Sequence, residues 1–314
     1  MFDHSLIVLI TWIVLYYISS CDVLVANGVK LEQKVPKKLH FVLVHGAGHG
    51  AWCWYKVTHK LEQEGHRVEA VDLTSAGTNG VDAKTVGNLE TYSVPLIELL
   101  ESLPANVKVI LVGHSLGGIS LTYAMERFPQ KISGAVYITA IMLPSNGSQA
   151  LSIYNKIAQG LGDKFILSFR NGSVTAGSFK PEHAREMLYQ RSPPQDFVLA
   201  KSILKPFPYF DPTVSFTVAN YGKVPRYYIK AKKDKTIPLE IQEEMIKQTP
   251  PLKVLELNSD HSPFFSMPNA SNGHIVKKRW RWRSKEDDRI CEVLEVHFSP
   301  FGESGYMCLR IRVT

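Results

Sequence analysis

Short runs of consecutive apolar residues punctuate the chain, and between them apolar positions recur at helical spacing. Phe41 to Val44 is one such run, bounded by His40 and by HGAGHG, as expected of a strand buried on both faces of a parallel sheet. Ala51 to Glu64 then reads as a helix and Arg67 to Asp72 as a second strand. In Leu89 to Leu103, the residues Tyr92, Leu96, Leu99, Leu100 and Leu103 form one helical stripe; Lys108 to Val112 (KVILV) is the clearest strand. Leu116 to Phe128 is a helix that Pro129 stops, and Gly134 to Thr139 is a strand. Arg226 to Lys230 is another strand, Leu239 to Gln248 a helix, and Lys253 to Leu257 a last strand. Such alternation implies an α/β fold, a mostly parallel central sheet with helices on both faces. From Leu143 to about Tyr221, scattered Pro, Gly and aromatic residues break the rhythm, which reads as an insertion. It falls between two strands on the side where active-site loops emerge, so a mostly helical cap over the site is expected.

Composition narrows the class. With 314 residues, 45% of them hydrophobic, and 4 cysteines, the chain is neither disordered, collagen-like nor a disulfide-stapled miniprotein. The net charge of +7 is unevenly placed: from Asn269 onward there are nine Lys/Arg against six Asp/Glu, leaving 27 against 23 before it. The chain before the tail is therefore only mildly basic, and no nucleic-acid partner is expected. Leu6 to Ile18 is an unbroken apolar run of signal-peptide length, followed by Ser19, Ser20 and Cys21. It reads as a secretory signal over 1–21, although MFDHS lacks Lys and Arg; an uncleaved anchor or a misassigned start are the other readings. Asn146-Gly-Ser, Asn171-Gly-Ser and Asn269-Ala-Ser fit the glycosylation acceptor pattern and agree with secretion; a cytoplasmic location is the alternative. Residues 22–38 form a polar linker. Cys53, Cys291 and Cys308 show no metal-ligand spacing, so no metal site is expected. The oligomeric state stays open, a homodimer among the options.

The chemistry concentrates in VILVGHSLGG, where Gly113-His114-Ser115-Leu116-Gly117 follows a buried strand and precedes a helix. That context is what a G-x-S-x-G nucleophile elbow requires, since the tight turn exposes the serine hydroxyl and needs small neighbours. A serine hydroxyl reacts only once a base takes its proton. His261, in the loop after the last strand (VLELNSDHSPFF), reaches the same sheet edge as Ser115; the other histidines have ordinary structural explanations. An acid must then fix the imidazole tautomer, and its loss can cost about 10⁴ in rate. Asp234, directly after the strand YYIKA, is chosen over Asp260, which as the sequence neighbour of His261 more plausibly shapes the loop. Two N–H donors complete the site: Leu116, following the nucleophile, and Ala47 in HGAG, where Gly46 contributes by lacking a side chain.

HFVLVHGAGHGAWCWYK, AVDLTSAGTN, VILVGHSLGG, KDKTIP and DHSPFFS together resemble the plant methylesterase branch of the α/β-hydrolase fold, over Leu39 to Pro268. That branch includes methyl salicylate, methyl jasmonate and methyl indole-acetate esterases, polyneuridine-aldehyde esterase and the α-hydroxynitrile lyases. The resemblance implies cofactor-free hydrolysis of a small methyl ester by Ser115 attack, an acyl-enzyme, methanol release and water attack, with Ala47 and Leu116 as oxyanion donors. In the lyases a threonine replaces the first-motif glycine, a cysteine follows the nucleophile and a lysine follows the catalytic histidine. Here Gly46, Leu116 and Ser262 stand at those places, and no ammonium would stabilise a leaving cyanide. A hydrolase-fold receptor that binds a small molecule without turnover is the other class. Pocket shape is expected to depend on Ile138 to Leu143 and on cap residues such as Tyr154, Phe165, Phe207 and Tyr209.

The chain departs from the branch in 269–314. Relatives continue with an amphipathic helix after DHSPFFSMP, whereas this chain continues with KKRWRWRSK, six basic residues and two tryptophans in nine positions. Membrane contact is confined to this segment or to residues 1–21. An alternative or misassigned final exon is the plainer reading, and lower stability follows from losing a packed helix. Ile290 to Phe298 and Tyr306 to Val313 read as strands; a hairpin about PFGES would not bring Cys291 and Cys308 face to face, so no disulfide is inferred.

Overall fold

The computed structural model describes residues 38–211, 216–266, 293–298 and 307–312. Along the chain the first strands are β1 (His40–Val44), β2 (Arg67–Val71), β3 (Val109–His114) and β4 (Ile132–Ile138). Next come β5 (Phe165–Arg170), β6 (Ser173–Phe179), β7 (Phe207–Pro208), β8 (Arg226–Ala231) and β9 (Lys253–Leu257). Six of them form one sheet in the order β2-β1-β3-β4-β8-β9, every neighbouring pair parallel, with helices on both faces. The inner strands β1 and β3 are buried along their whole length, as their unbroken apolar runs require. The edge strands β2 and β9 are only partly covered and carry charge: Arg67 pairs with Glu69 at 2.8 Å, and Glu256 with Lys230 at 2.8 Å.

This order decides where a ligand can sit. The chain starts in β1, steps to β2 on one side, then returns to β3 on the other, so the direction of winding reverses between β1 and β3. A crevice opens at the carboxyl ends of the strands at such a switch point. Register aligns those ends, with Val44 opposite Gly113, His114 opposite Ile138, and Ile138 opposite Ile229. The loops after β1, β3, β4, β8 and β9 therefore emerge at one rim.

The helices are α1 (Tyr55–Gln63), α2 (Leu89–Ser102), α3 (Gly117–Arg127), α4 (Gly147–Leu161), α5 (Pro181–Leu188), α6 (Pro194–Ile203) and α7 (Leu239–Gln248). The α2 stripe holds Tyr92, Leu96 and Leu100 in the core, and Asn88 caps its start by accepting the Thr91 N–H at 2.7 Å. The cap contains α4, α5 and α6, as expected of a mostly helical insertion. It also contains an antiparallel sheet, β5-β6-β7, that the sequence reading did not foresee. Its signal was present: Asn171 and Gly172, both with positive φ (50° and 79°), join two strand-like runs, the pairing that a tight hairpin turn favours. Asp196 at the start of α6 ties the cap down, accepting from Lys56 Nζ at 2.6 Å and from the Tyr55 hydroxyl at 2.7 Å.

The strand-like runs near the end of the chain appear as β10 (Val293–Phe298) and β11 (Met307–Arg312), paired in a two-stranded sheet of their own. The apolar run Leu6–Ile18, the linker up to residue 37, the third acceptor pattern at Asn269, KKRWRWRSK and Cys291 lie outside the described residues. Among the described residues no helix is long and apolar enough to cross a membrane.

Candidate active site

Ser115 is the first residue after β3 and takes φ 52°, a left-handed conformation uncommon outside glycine. Two glycines make this turn possible. A Cβ at Gly117 would collide with the His45 carbonyl, and one at Gly46 would lie 2.7 Å from Ser115 Cβ and 2.8 Å from His114 Nδ1. The loops after β1 and β3 thus touch backbone to side chain, and Ala47 and Leu116 end up lining the same cavity as Ser115. The Ser115 carbonyl accepts the Gly118 N–H at 3.1 Å and the Ile141 N–H at 2.9 Å, which starts α3 directly behind the serine.

Asp234 lies just past β8 and His261 just past β9. His261 Nδ1 bonds Asp234 Oδ2 at 2.7 Å, with both side chains buried. The other carboxylate oxygen accepts the backbone N–H groups of Thr236 (2.7 Å) and Ile237 (2.9 Å). Gln242 of α7 clamps the loop from behind, accepting from the Ala231 N–H at 3.0 Å and donating to the Ala231 and Ile237 carbonyls. With the Nδ1 proton donated to the carboxylate, the far nitrogen of His261 is the one left to accept a proton.

His114, the residue before Ser115, contacts His261. The His114 and His261 rings lie 4.6 Å apart, and His114 Nε2 donates to the His261 carbonyl at 2.7 Å. Among the described residues the Ser115 hydroxyl makes no hydrogen bond to His261; such sites often close this last contact only around a bound substrate. Burial holds the remaining histidines of the rim neutral: it lowers His45, takes His114 well below its ordinary value and brings His49 to about 3.

Asp260 is turned away from the imidazole of His261. It accepts from the Ser262 N–H (3.0 Å) on its own loop and from the Arg191 N–H (2.8 Å) and Ser192 hydroxyl (3.0 Å) of the cap. Burial raises its carboxyl above the usual range.

Above Ser115 lies a cavity of about 180 Å³, with Ala47 and Leu116 beside the hydroxyl and cap side chains opposite. Tyr154, Phe165, Phe207 and Tyr209 all line it, as the sequence reading named them, and Ile141 enters from the stretch after β4. Phe165 packs edge-on against Phe179 (4.9 Å) and Phe207 (5.3 Å), so the roof is a rigid aromatic cluster. The volume slightly exceeds the ~150 Å³ of an apolar cavity that accepts benzene, which suits a group of one ring or its equivalent.

The Alpha/beta hydrolase family pattern matches residues 41–271. Methyl jasmonate esterase 1 of Vitis vinifera is 43% identical over 245 residues, covering 74% of this chain and 93% of that protein. The chain belongs to the α/β-hydrolase family, in its plant methylesterase branch. Putative methylesterase 13, chloroplastic, of Arabidopsis thaliana is 41% identical over 270 residues, 79% of this chain, yet this chain spans only 60% of its length. Among solved structures, that of polyneuridine aldehyde esterase matches with a TM-score of 0.69 at 36% identity, covering 74% of this chain and 95% of the other.

Within this methylesterase-branch fold, all five residues singled out from the sequence lie at the carboxyl rim of the sheet. Asp234 and His261 are directly bonded, and Ser115, Ala47 and Leu116 share one cavity. Three features had no sequence signal. The His114 bond to the His261 carbonyl and the Asp260 tie to the cap join residues more than 60 positions apart. Thr139, read as the end of a strand and within the pocket-shaping stretch Ile138 to Leu143 but with no role toward Asp234, donates its hydroxyl to Asp234 Oδ2.

Proposed function

We propose that this chain is a serine carboxylesterase that hydrolyses small methyl esters through an acyl-enzyme. The observation that carries this reading is the His261–Asp234 bond at the rim where a strained Ser115 opens onto an apolar cavity. Ser115 Oγ attacks the ester carbonyl while His261 takes its proton. The negative charge that moves to the carbonyl oxygen is met by the N–H groups of Ala47 and Leu116. Collapse of this intermediate breaks the acyl–oxygen bond, and His261 returns the proton so that methanol leaves. Water, activated by the same imidazole, then attacks the acyl-Ser115 ester and releases the carboxylic acid. No cofactor takes part in this sequence.

The aromatic roof favours an apolar, ring-bearing acyl group of plant-hormone type such as salicylate, jasmonate or indole-acetate, and the modest volume ranks the single-ring salicylate first. The similarity to a protein named methyl jasmonate esterase supports the same class. The test is a panel of methyl salicylate, methyl jasmonate, methyl indole-acetate and mandelonitrile, on wild type and Ser115→Ala, with fluorophosphonate labelling of the serine. Methanol release that disappears in Ser115→Ala is the expected result. Cyanide release would favour a lyase, and ligand binding with neither turnover nor labelling would favour a receptor.

We also propose that the chain enters the secretory pathway. Asn146 and Asn171, both in acceptor patterns, are exposed and open to glycosylation. A glycosidase-sensitive mass on the protein from its native source is expected; an unmodified protein that retains Met1 would count against it.

A further inference from the structure

Two residues at neighbouring strand ends take a left-handed conformation: Ser115 after β3, and Thr139 after β4 with φ 37°. For a β-branched residue this is a genuine outlier, whereas glycine would adopt it freely. The reason for a threonine must lie in its side chain. Thr139 is fully buried, and its hydroxyl donates to Asp234 Oδ2, the oxygen that also accepts the His261 Nδ1 proton. The backbone around it is pinned from both sides. Its N–H donates to the Ile229 carbonyl of β8 (2.8 Å), the Tyr228 hydroxyl donates to the Ala140 carbonyl (3.0 Å), and the Ile141 N–H reaches the Ser115 carbonyl. Strain persists only where surroundings over-determine it in this way, and it concentrates at functional sites.

We propose that Thr139 is a positioning residue of this site, fixing the Asp234 carboxylate so that one oxygen is shared between its own hydroxyl and His261. The inference rests on the reading of Ser115, His261 and Asp234 as the reacting set. Thr236 and Ile237 hold one oxygen through backbone donors, and Thr139 stops the carboxylate from turning about its long axis. The hydroxyl also draws charge from the oxygen facing His261. Without it that oxygen is more basic, stabilises the imidazolium more, and keeps the base protonated to higher pH. The other titratable groups around His261 are His114 from β3, His49 from the loop after β1, and Asp260 on its own loop; Tyr228 of β8 faces Asp234. None of them bonds Asp234 Oδ2, so their effect is common to all variants.

The experiment compares the pH dependence of kcat/KM for wild type, Thr139→Val, Thr139→Ser and Thr139→Gly on a hydrolysed methyl ester. Thr139→Val is expected to move the acid limb up by roughly half a pH unit or more and to lower kcat about tenfold with KM little changed. Thr139→Ser restores the limb. Thr139→Gly suits the backbone angle yet lacks the hydroxyl, so it shifts the limb as valine does and carries the test if valine prevents folding. An unmoved limb in folded valine or glycine variants overturns the proposal, because a merely structural role changes melting temperature and leaves the limb in place. Fluorophosphonate labelling of wild-type Ser115 separates the two failures. Labelling with an unmoved limb removes only the role of Thr139, and absence of labelling removes the reacting set with it.

Discussion

The sheet rim and the cap meet at one cavity but are built by opposite means. On the rim, backbone and short side chains are locked: Ser115 and Thr139 sit in strained turns, and Gly46 and Gly117 leave no room even for a methyl group. The cap is made of large apolar side chains, and parts of it face solvent; Ile166 and Phe169 of β5 are 53% and 63% exposed. The rim therefore leaves the reacting groups little room to move, and the cap offers shape that can vary without crowding them. Changes on the rim are expected to reach kcat, and changes in the cap mainly KM and substrate choice.

The sharpest break of this contrast is Asp234→Asn, which keeps the shape of the rim and removes the acceptor that fixes the His261 tautomer. A fall of about 10⁴ in kcat is expected, with melting temperature nearly unchanged. Next is Gly46→Ala. Its Cβ would press on Ser115 Cβ and His114 Nδ1 and displace the neighbouring Ala47 N–H, with a loss of about 10² in kcat measured under saturating ester. In the cap, Phe207→Ala opens the aromatic cluster; an increase of about tenfold in KM for the best ester, and a relative gain for bulkier ones, is expected in a competition assay. A cap substitution that lowered kcat as severely as Gly46→Ala would end the division of labour.

The smallest expected effect concerns acid stability. Burial lowers His45, His49 and His114 below the ordinary value of 6.5, His49 to about 3. The unfolded chain therefore binds protons near pH 6.5 that the folded chain does not, and stability falls as pH drops from there toward 3. Denaturant titrations at pH 7.5, 6 and about 5 are expected to show this decline, and His49→Gln to make it shallower. His49 also accepts the Tyr189 hydroxyl of the cap and donates to the Ala47 carbonyl, so the same variant loosens a tie between the two regions.

Much of the architecture could be read along the chain. The runs FVLV and VILV are buried strands because no charge interrupts them, and the α2 stripe is a core face because its apolar residues recur every three or four positions. Ser115, His261 and Asp234 were legible for the same reason, each standing just after a strand of a parallel sheet whose carboxyl ends form one rim. The antiparallel sheet of the cap carries little signal because β5 and β6 are mixed in polarity and only partly covered, leaving Asn171-Gly172 as the one strong local signal.

Local spacing along this chain specifies which segments become strands and helices, and which residue types stand at their ends, because those depend on neighbours a few positions away. Partnerships between distant segments were decided only by packing. The choice of Asp234 over Asp260 was legible, but what occupies Asp260 was not: the loop turns it toward Arg191 and Ser192 of the cap. Thr139 became part of the site because β4 lies beside β8, a fact of sheet order that brings together hydroxyl and carboxylate from residues 95 positions apart. Periodicity carries no record of such meetings, since burial rewards contact between faces without naming which polar atom will find which.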